Sequence, residues 1–188
     1  KLPLILLGMT GFGADPQTVL TATYLHGSLF HLVMNLVFFH FLGQEVVRLF
    51  GPSRFFVIYT CGGIVGFAAS NLISNAPTIG ASGAIFGLMG ALIVYGRHTN
   101  ESIGGMMPRQ IWGLAIVFFI MGFSGSGVNN IAHLFGFLGG LAAARLVVGD
   151  VDDGETKWMV RAALTLLLLT AGSFVFNFLM SWSLLLTA

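Results

Sequence analysis

Gly80-Ala81-Ser82-Gly83-Ala84-Ile85-Phe86-Gly87 begins one apolar run of this chain, and Ala132-His133-Leu134-Phe135-Gly136 stands at the corresponding end of another. Each stretch joins small residues, which let helices approach closely, to one polar group at the head of a segment otherwise built for hydrocarbon. A hydroxyl or an imidazole in such a place is costly, and groups of this kind tend to be functional.

Composition supports that setting. Of 188 residues, 56% are hydrophobic and 8% are charged, and the mean hydropathy is +0.91. This is more apolar surface than a soluble core of this size can hide, so the expected fold is all-α, a polytopic helix bundle whose solvent is the lipid bilayer. The formal net charge of +1 includes no polybasic tract, which leaves a nucleic-acid or acidic partner without support. The single cysteine, Cys61, excludes an intramolecular disulfide. The chain begins at Lys1 rather than methionine, which points to a further segment upstream, and no cleavable signal peptide is visible.

Six apolar runs emerge, at about 28–47, 55–74, 82–97, 110–123, 131–148 and 159–186, against the roughly 20 residues that span about 30 Å of hydrocarbon. Residues 2–14 are apolar but interrupted by Pro3, Gly8, Gly11 and Gly13. They are too short to span, and read either as the tail of a first helix or as an interfacial segment. Arg48 and Arg54, Arg97 and Arg109, and Arg145, Lys157 and Arg161 fall in alternate connections, which makes that side cytoplasmic. The connections at 74–81 and 124–130 carry no basic residue and face outward.

Ser82 lies 15 residues before Arg97, His133 lies 12 before Arg145, and His31 and Asn35 lie 17 and 13 before Arg48. At 1.5 Å per residue all four stand roughly 18–26 Å above the basic layer, in the outer half of the membrane. The helix starting at Ser82 is too short to reach the outer surface, so 75–81 must dip inward to meet it. Irregular backbone at that depth requires a protein-lined or wet cavity. Gly83 with Gly87, and Gly136 with Gly140, make small faces that would appose the Ser82 and His133 helices and bring hydroxyl and imidazole together. Phe86, one turn below Ser82, would pack on the imidazole.

Hydrolytic chemistry then narrows by elimination. The chain has no HExxH, and its acidic residues, Asp15, Glu45, Glu101, Asp150, Asp152, Asp153 and Glu155, all lie near ends or in connections. What remains is a two-residue dyad, with Ser82 as nucleophile and His133 as general base and then general acid. An oxyanion would be met by donors, and the Asn35 amide, a His31 ring N–H and the Ser82 backbone N–H are available. Each residue also has a plainer reading. A serine at a helix start is usually a cap, and His31 with Asn35 would serve as a polar pair bridging helices. His26 and His40 read as structural or interfacial, and His98 as part of a cytoplasmic connection.

The run Leu25-His26-Gly27-Ser28-Leu29-Phe30-His31-Leu32-Val33-Met34-Asn35, then Gly80 to Gly87, then Ala132 to Gly136 with Gly140, resembles the rhomboid family of intramembrane serine proteases, from about Leu20 to Val148. The resemblance implies a rhomboid-like bundle that cleaves transmembrane protein substrates near their outer ends, without metal or cofactor. It also implies that Ser82 and His133 match the catalytic pair, His31 and Asn35 the oxyanion positions, and Phe86 the aromatic that supports the histidine, with Gly80, Gly83, Gly136 and Gly140 around them. The chain divides accordingly into an outer segment or remnant of a first helix and loop (1–25), a rhomboid core (26–148), a cytoplasmic linker (149–157) and an additional C-terminal transmembrane helix (158–188). The family's outer loop carries a Trp-Arg pair where this chain has Gln17-Thr18-Val19-Leu20-Thr21. The acidic stretch 150–155 reads as a solvated linker. Ser124 to Asn130, glycine-rich and uncharged, is expected to form a mobile gate together with the upper end of the 110–123 helix. The expected location is an integral, multi-pass position in a bacterial inner membrane. The rival reading is a non-proteolytic rhomboid-like membrane protein or a transporter, which would also use glycine-broken helices.

Overall fold

In hydrocarbon the backbone can satisfy its N–H and C=O groups only within itself, so long apolar runs become helices. The computed structural model describes residues 8–11, 15–74, 77–99, 108–121, 128–149 and 154–187. A short helix α1 (Thr18–Thr21) continues into a 3-10 turn (Ala22–Tyr24). Six longer helices follow: α2 (Leu29–Phe50), α3 (Pro52–Ile73), α4 (Ser82–Thr99), α5 (Pro108–Met121), α6 (Asn130–Val147) and α7 (Lys157–Thr187). The only β pairing among the described residues is an isolated bridge between Thr10 and Thr78.

The ends of these helices follow local chemistry. Ser28 caps α2 by accepting from the His31 N–H at 3.1 Å, and α3 begins with proline at its first position, where the missing N–H costs nothing. Among the described residues, α2, α3, α6 and Lys157–Ser183 of α7 are long and apolar enough to cross a membrane. With these spans the chain is an integral membrane protein. The other two runs also fold as helices. α5 is described over the 14 residues from Pro108 to Met121. α4 is diluted by glycines and does not need to be lipid-soluble, because every residue from Gly83 to Val94 is buried. It is the axis of the bundle, packed against α2, α3, α5 and α6, while α7 lies outside against α3 and α1.

Glycine makes this arrangement possible. A methyl group at Gly87 would stand 3.1 Å from the Gly136 carbonyl and 3.2 Å from the Gly62 Cα, and one at Gly66 would stand 2.6 Å from the Ala132 carbonyl. At Gly136 it would run into the Gly83 carbonyl, and at Gly140 into the Gly87 backbone. The expected apposition of the Gly83/Gly87 and Gly136/Gly140 faces is thus present. A third face from α3, Gly62 and Gly66, completes it and was not anticipated from sequence.

At the outer end, polar side chains tie the pieces together. Gln17 Nε2 donates to Asn177 Oδ1 at 3.0 Å, Asn177 Nδ2 donates to Thr21 Oγ1 at 3.3 Å, and Thr21 Oγ1 donates to the Gly8 carbonyl at 2.9 Å. Asn71 Nδ2 donates to Thr10 Oγ1 at 2.6 Å. Residues 8–11 therefore form non-helical backbone seated on the bundle, tied to α3 through Asn71, and Gln17 to Thr21 are held by the Asn177 amide of α7 and by Gly8 and Thr10. At the opposite end, buried Arg54 donates to the Gly154 carbonyl at 2.6 Å, and the Ser53 N–H donates to Glu155 Oε1 at 3.1 Å. The end of the acidic stretch is docked rather than free of the bundle. Residues 150–153 lie outside the described ones. His98 sits in the last turn of α4 rather than in a connection.

Gly136→Ala should lower unfolding free energy in mild detergent by about 1–3 kcal/mol, the usual cost of overpacking. Gly113→Ala on α5, where a methyl would meet nothing within 4 Å, should be neutral or stabilise by up to ~1 kcal/mol. Thermal unfolding of both variants checks this, and equal effects would contradict the close-approach account.

Candidate active site

Ser82 reaches its place through a backbone that only glycine permits. Gly80 has φ +124°, its N–H donates to the Ala22 carbonyl at 2.9 Å, and a Cβ there would stand 2.7 Å from the His31 ring. The left-handed turn points the chain into α4, and the missing side chain leaves room for the imidazole. The Ala81 carbonyl accepts from the Ile85 N–H at 2.9 Å, so Ala81 precedes the helix and Ser82 is its first residue. Ser82 is therefore not the cap that a serine at a helix start usually is. Its hydroxyl turns sideways, 2.8 Å from His133 Nε2.

His133 belongs to the first turn of α6 and is 8% exposed. The Phe86 ring lies flat against its imidazole, with centroids 4.5 Å apart and planes 12° from parallel. Nδ1 is buried and has no hydrogen-bond partner among the described residues. The ring is thus oriented by the Ser82 bond on one edge and by Phe86 on its face, and no described carboxylate stands behind it.

His31 and Asn35 come from α2. Both line a cavity of about 610 Å³ that is also lined by Ser82, Phe86, Asn129 and His133. Neither residue hydrogen-bonds to Ser82. Asn35, 6% exposed, donates through Nδ2 to the His31 carbonyl at 2.8 Å, one turn back on the same helix. That bond lies within α2. An amide nitrogen carries two hydrogens, so one remains for the cavity. The His26 ring packs edge-on against His31 at 5.1 Å. Gly83, Gly136 and Gly140 lie beneath the site at the α4–α6 contact.

Of the segment 75–81 expected to dip inward, 75–76 lie outside the described residues, and Pro77, Thr78 and Ile79 form part of the cavity wall. Of the expected gate, Ser124 to Gly127 lies outside the described residues, while Val128 and Asn129 line the cavity. Sequence reasoning missed Asn129 and Thr78, which are hydrogen-bonded to each other at 2.8 Å. The one available signal was an asparagine directly before an apolar helix, a common cap.

Comparison with known proteins places the chain in a family. A family model described as the Rhomboid domain matches residues 14–150. Rhomboid protease GluP of Bacillus subtilis is 33% identical over 154 residues, 82% of this chain and 30% of that protein. Rhomboid-like protease 3 of Toxoplasma gondii is 32% identical over 145 residues, 74% of this chain and 54% of that protein. Inactive RHOMBOID-like protein 8 of Arabidopsis thaliana is 35% identical over 128 residues, 64% of this chain and 35% of that protein. The chain thus spans between about a third and about half of these curated relatives. Helix order, the Ser82–His133 contact and a family match over most of its length lead to one conclusion: the chain belongs to the rhomboid family.

Proposed function

We propose that this chain is an intramembrane serine endopeptidase that cuts transmembrane segments of other membrane proteins near their outer ends. The observation that carries the reading is the 2.8 Å contact between Ser82 Oγ and His133 Nε2 at the wall of a cavity inside a bundle built for lipid. A relative named inactive shows that membership alone does not decide activity. The intact dyad in this chain favours the active alternative.

In the proposed reaction His133 carries its proton on Nδ1, so that Nε2 accepts from Ser82; this tautomer is assigned from the contact. As Oγ bonds to the scissile carbonyl carbon, its proton passes to Nε2 and the carbonyl π pair moves onto oxygen. The C–N bond then breaks and the Nε2 proton goes to the leaving amine. Water repeats the sequence on the acyl-serine and releases the acid. With no described carboxylate behind Nδ1, the Phe86 face is the group positioned to stabilise the transient imidazolium, as a ring does for a cation above it. The oxyanion is met by the Ser82 N–H, which a helix start leaves unpaired, and by Asn35 and His31 from across the cavity. None of these steps requires a metal or cofactor.

Access follows from how the helices pack. α5 rests on α4 and makes at most marginal contact with α2. Phe30, Val33, Met34 and Val37 of α2 and Ile116, Val117 and Ile120 of α5 are left exposed to lipid. A substrate helix enters between α2 and α5, and its unwound end reaches Ser82. The proposed location is a bacterial inner membrane, with the Arg48, Arg97 and Arg145 ends in the cytoplasm.

Ser82→Ala should abolish cleavage of a single-span model substrate by purified protein. His133→Ala should lower the rate equally, because the two groups act as one unit. Turnover in Ser82→Ala, or near-normal turnover in His133→Ala, would contradict the dyad.

Asn35→Ala should reduce kcat by roughly 10- to 1000-fold with KM little changed, the pattern of a donor that acts in the transition state. Single-turnover cleavage measured beside thermal unfolding checks it. A variant less stable by ~1 kcal/mol but with normal kcat per folded molecule would remove Asn35 from the oxyanion site.

A further inference from the structure

Ser82 and His133 arrive at their contact from two stretches of non-helical backbone, 77–81 and 128–129. Backbone of this kind holds its place only through specific hydrogen bonds, and four of them meet on Asn129. Its Nδ2 donates to Ser70 Oγ at 2.5 Å and to Thr78 Oγ1 at 2.8 Å. Its Oδ1 accepts from the Ala132 N–H at 3.0 Å. Its backbone carbonyl accepts from the N–H of His133 itself, at 3.1 Å.

The plain reading of Asn129 is a helix cap, and it accounts for only part of this. A cap needs an acceptor, which serine or aspartate supplies as well as asparagine does. It has no use for Nδ2, yet both hydrogens of that nitrogen are committed to different elements, the last turns of α3 and the segment four residues before Ser82. Thr78 is itself held by exchanging backbone bonds with Thr10 in both directions, at 2.9 and 3.3 Å, and Gly80 is held by Ala22. Thr78 is therefore a fixed point and not a loose hydroxyl. Asn129 links that fixed point to the first turn of α6.

We infer that Asn129 is a positioning residue for the reaction. It sets the height and rotation of the His133 turn against the segment that delivers Ser82, so that Oγ and Nε2 meet at hydrogen-bond distance. The inference rests on the reading of Ser82 and His133 as the reacting pair. The glycine faces below the site bring α4 and α6 together but do not index their ends, since backbone surfaces without side chains slide past one another. The Thr78–Asn129 bond supplies the index. Misplacing reacting groups by about an ångström costs on the order of 100-fold in rate, so losing the bond should be felt in the chemical step and not in substrate binding.

Two variants separate positioning from capping. Asn129→Ser keeps an N-cap oxygen but is too short to reach Ser70 and Thr78. Thr78→Val removes the acceptor and leaves Asn129 and the cap untouched. Each should lower kcat for a single-span substrate by roughly 10- to 100-fold with KM unchanged. The double variant should be no slower than the slower single, because both remove the same bond. Rates are taken per folded molecule, and if Asn129→Ser does not fold, Thr78→Val alone decides. Ser82-dependent cleavage in the parent protein together with normal kcat in these variants would overturn this inference alone. So would losses that multiply in the double variant. No Ser82-dependent cleavage in the parent would overturn the reading of the site and this inference with it.

Discussion

α3, α4 and α6 meet at backbone distance, and the rest of the structure depends on that contact. Lipid offers no hydrophobic drive for helices to associate, so their attraction comes from close packing and hydrogen bonds. Gly62 and Gly66, Gly83 and Gly87, and Gly136 and Gly140 provide three facing surfaces without side chains. One consequence is that α4 becomes the buried axis of the bundle. Another is that the ends of α4 and α6 that carry Ser82 and His133 are brought close to one another. A bundle spaced by leucines at the usual 8–10 Å between axes would separate the Ser82 hydroxyl and the His133 imidazole.

Close packing alone leaves the ends of the helices undetermined, and the outer end is organised by a different interaction. Polar side chains on elements distant in sequence bond to one another: Asn177 with Gln17 and Thr21, Asn71 with Thr10, Asn129 with Ser70 and Thr78. Individually, hydrogen bonds between membrane helices contribute only about 0.6 kcal/mol on average. Their value here is geometric. They fix the backbone of 8–11, 15–24 and 77–81, the last of which carries the turn at Gly80, and they give α7 a structural part. Asn177, buried in that helix, is one of the anchors of the segment Gln17 to Thr21.

What was legible in the sequence was what depends on spacing along one helix. Ser82 with Phe86, His31 with Asn35 and the paired glycines on two helices follow from a repeat of 3.6 residues, and a basic layer gave them a common depth. The all-α bundle was legible for the same reason. Gly62 and Gly66 were not, because glycine in a membrane helix is common and nothing local says which face meets a neighbour. The partners of Asn129 lie 59 and 51 residues away, and those of Asn177 lie 160 and 156 away. No periodicity connects them. The Asn35 amide donates to the carbonyl one turn behind it, a choice of acceptor that spacing along the helix does not settle.

The central claim is that Ser82 is a nucleophile activated across the α4–α6 contact by His133. The most direct measurement is reaction of the folded protein in detergent with a fluorophosphonate, followed by peptide mapping of the adduct. The account expects a single phosphonylated serine, Ser82, and loss of labelling in His133→Ala protein that remains folded. An adduct on another serine with Ser82 unmodified, or labelling of Ser82 at an unchanged rate in His133→Ala, would contradict it.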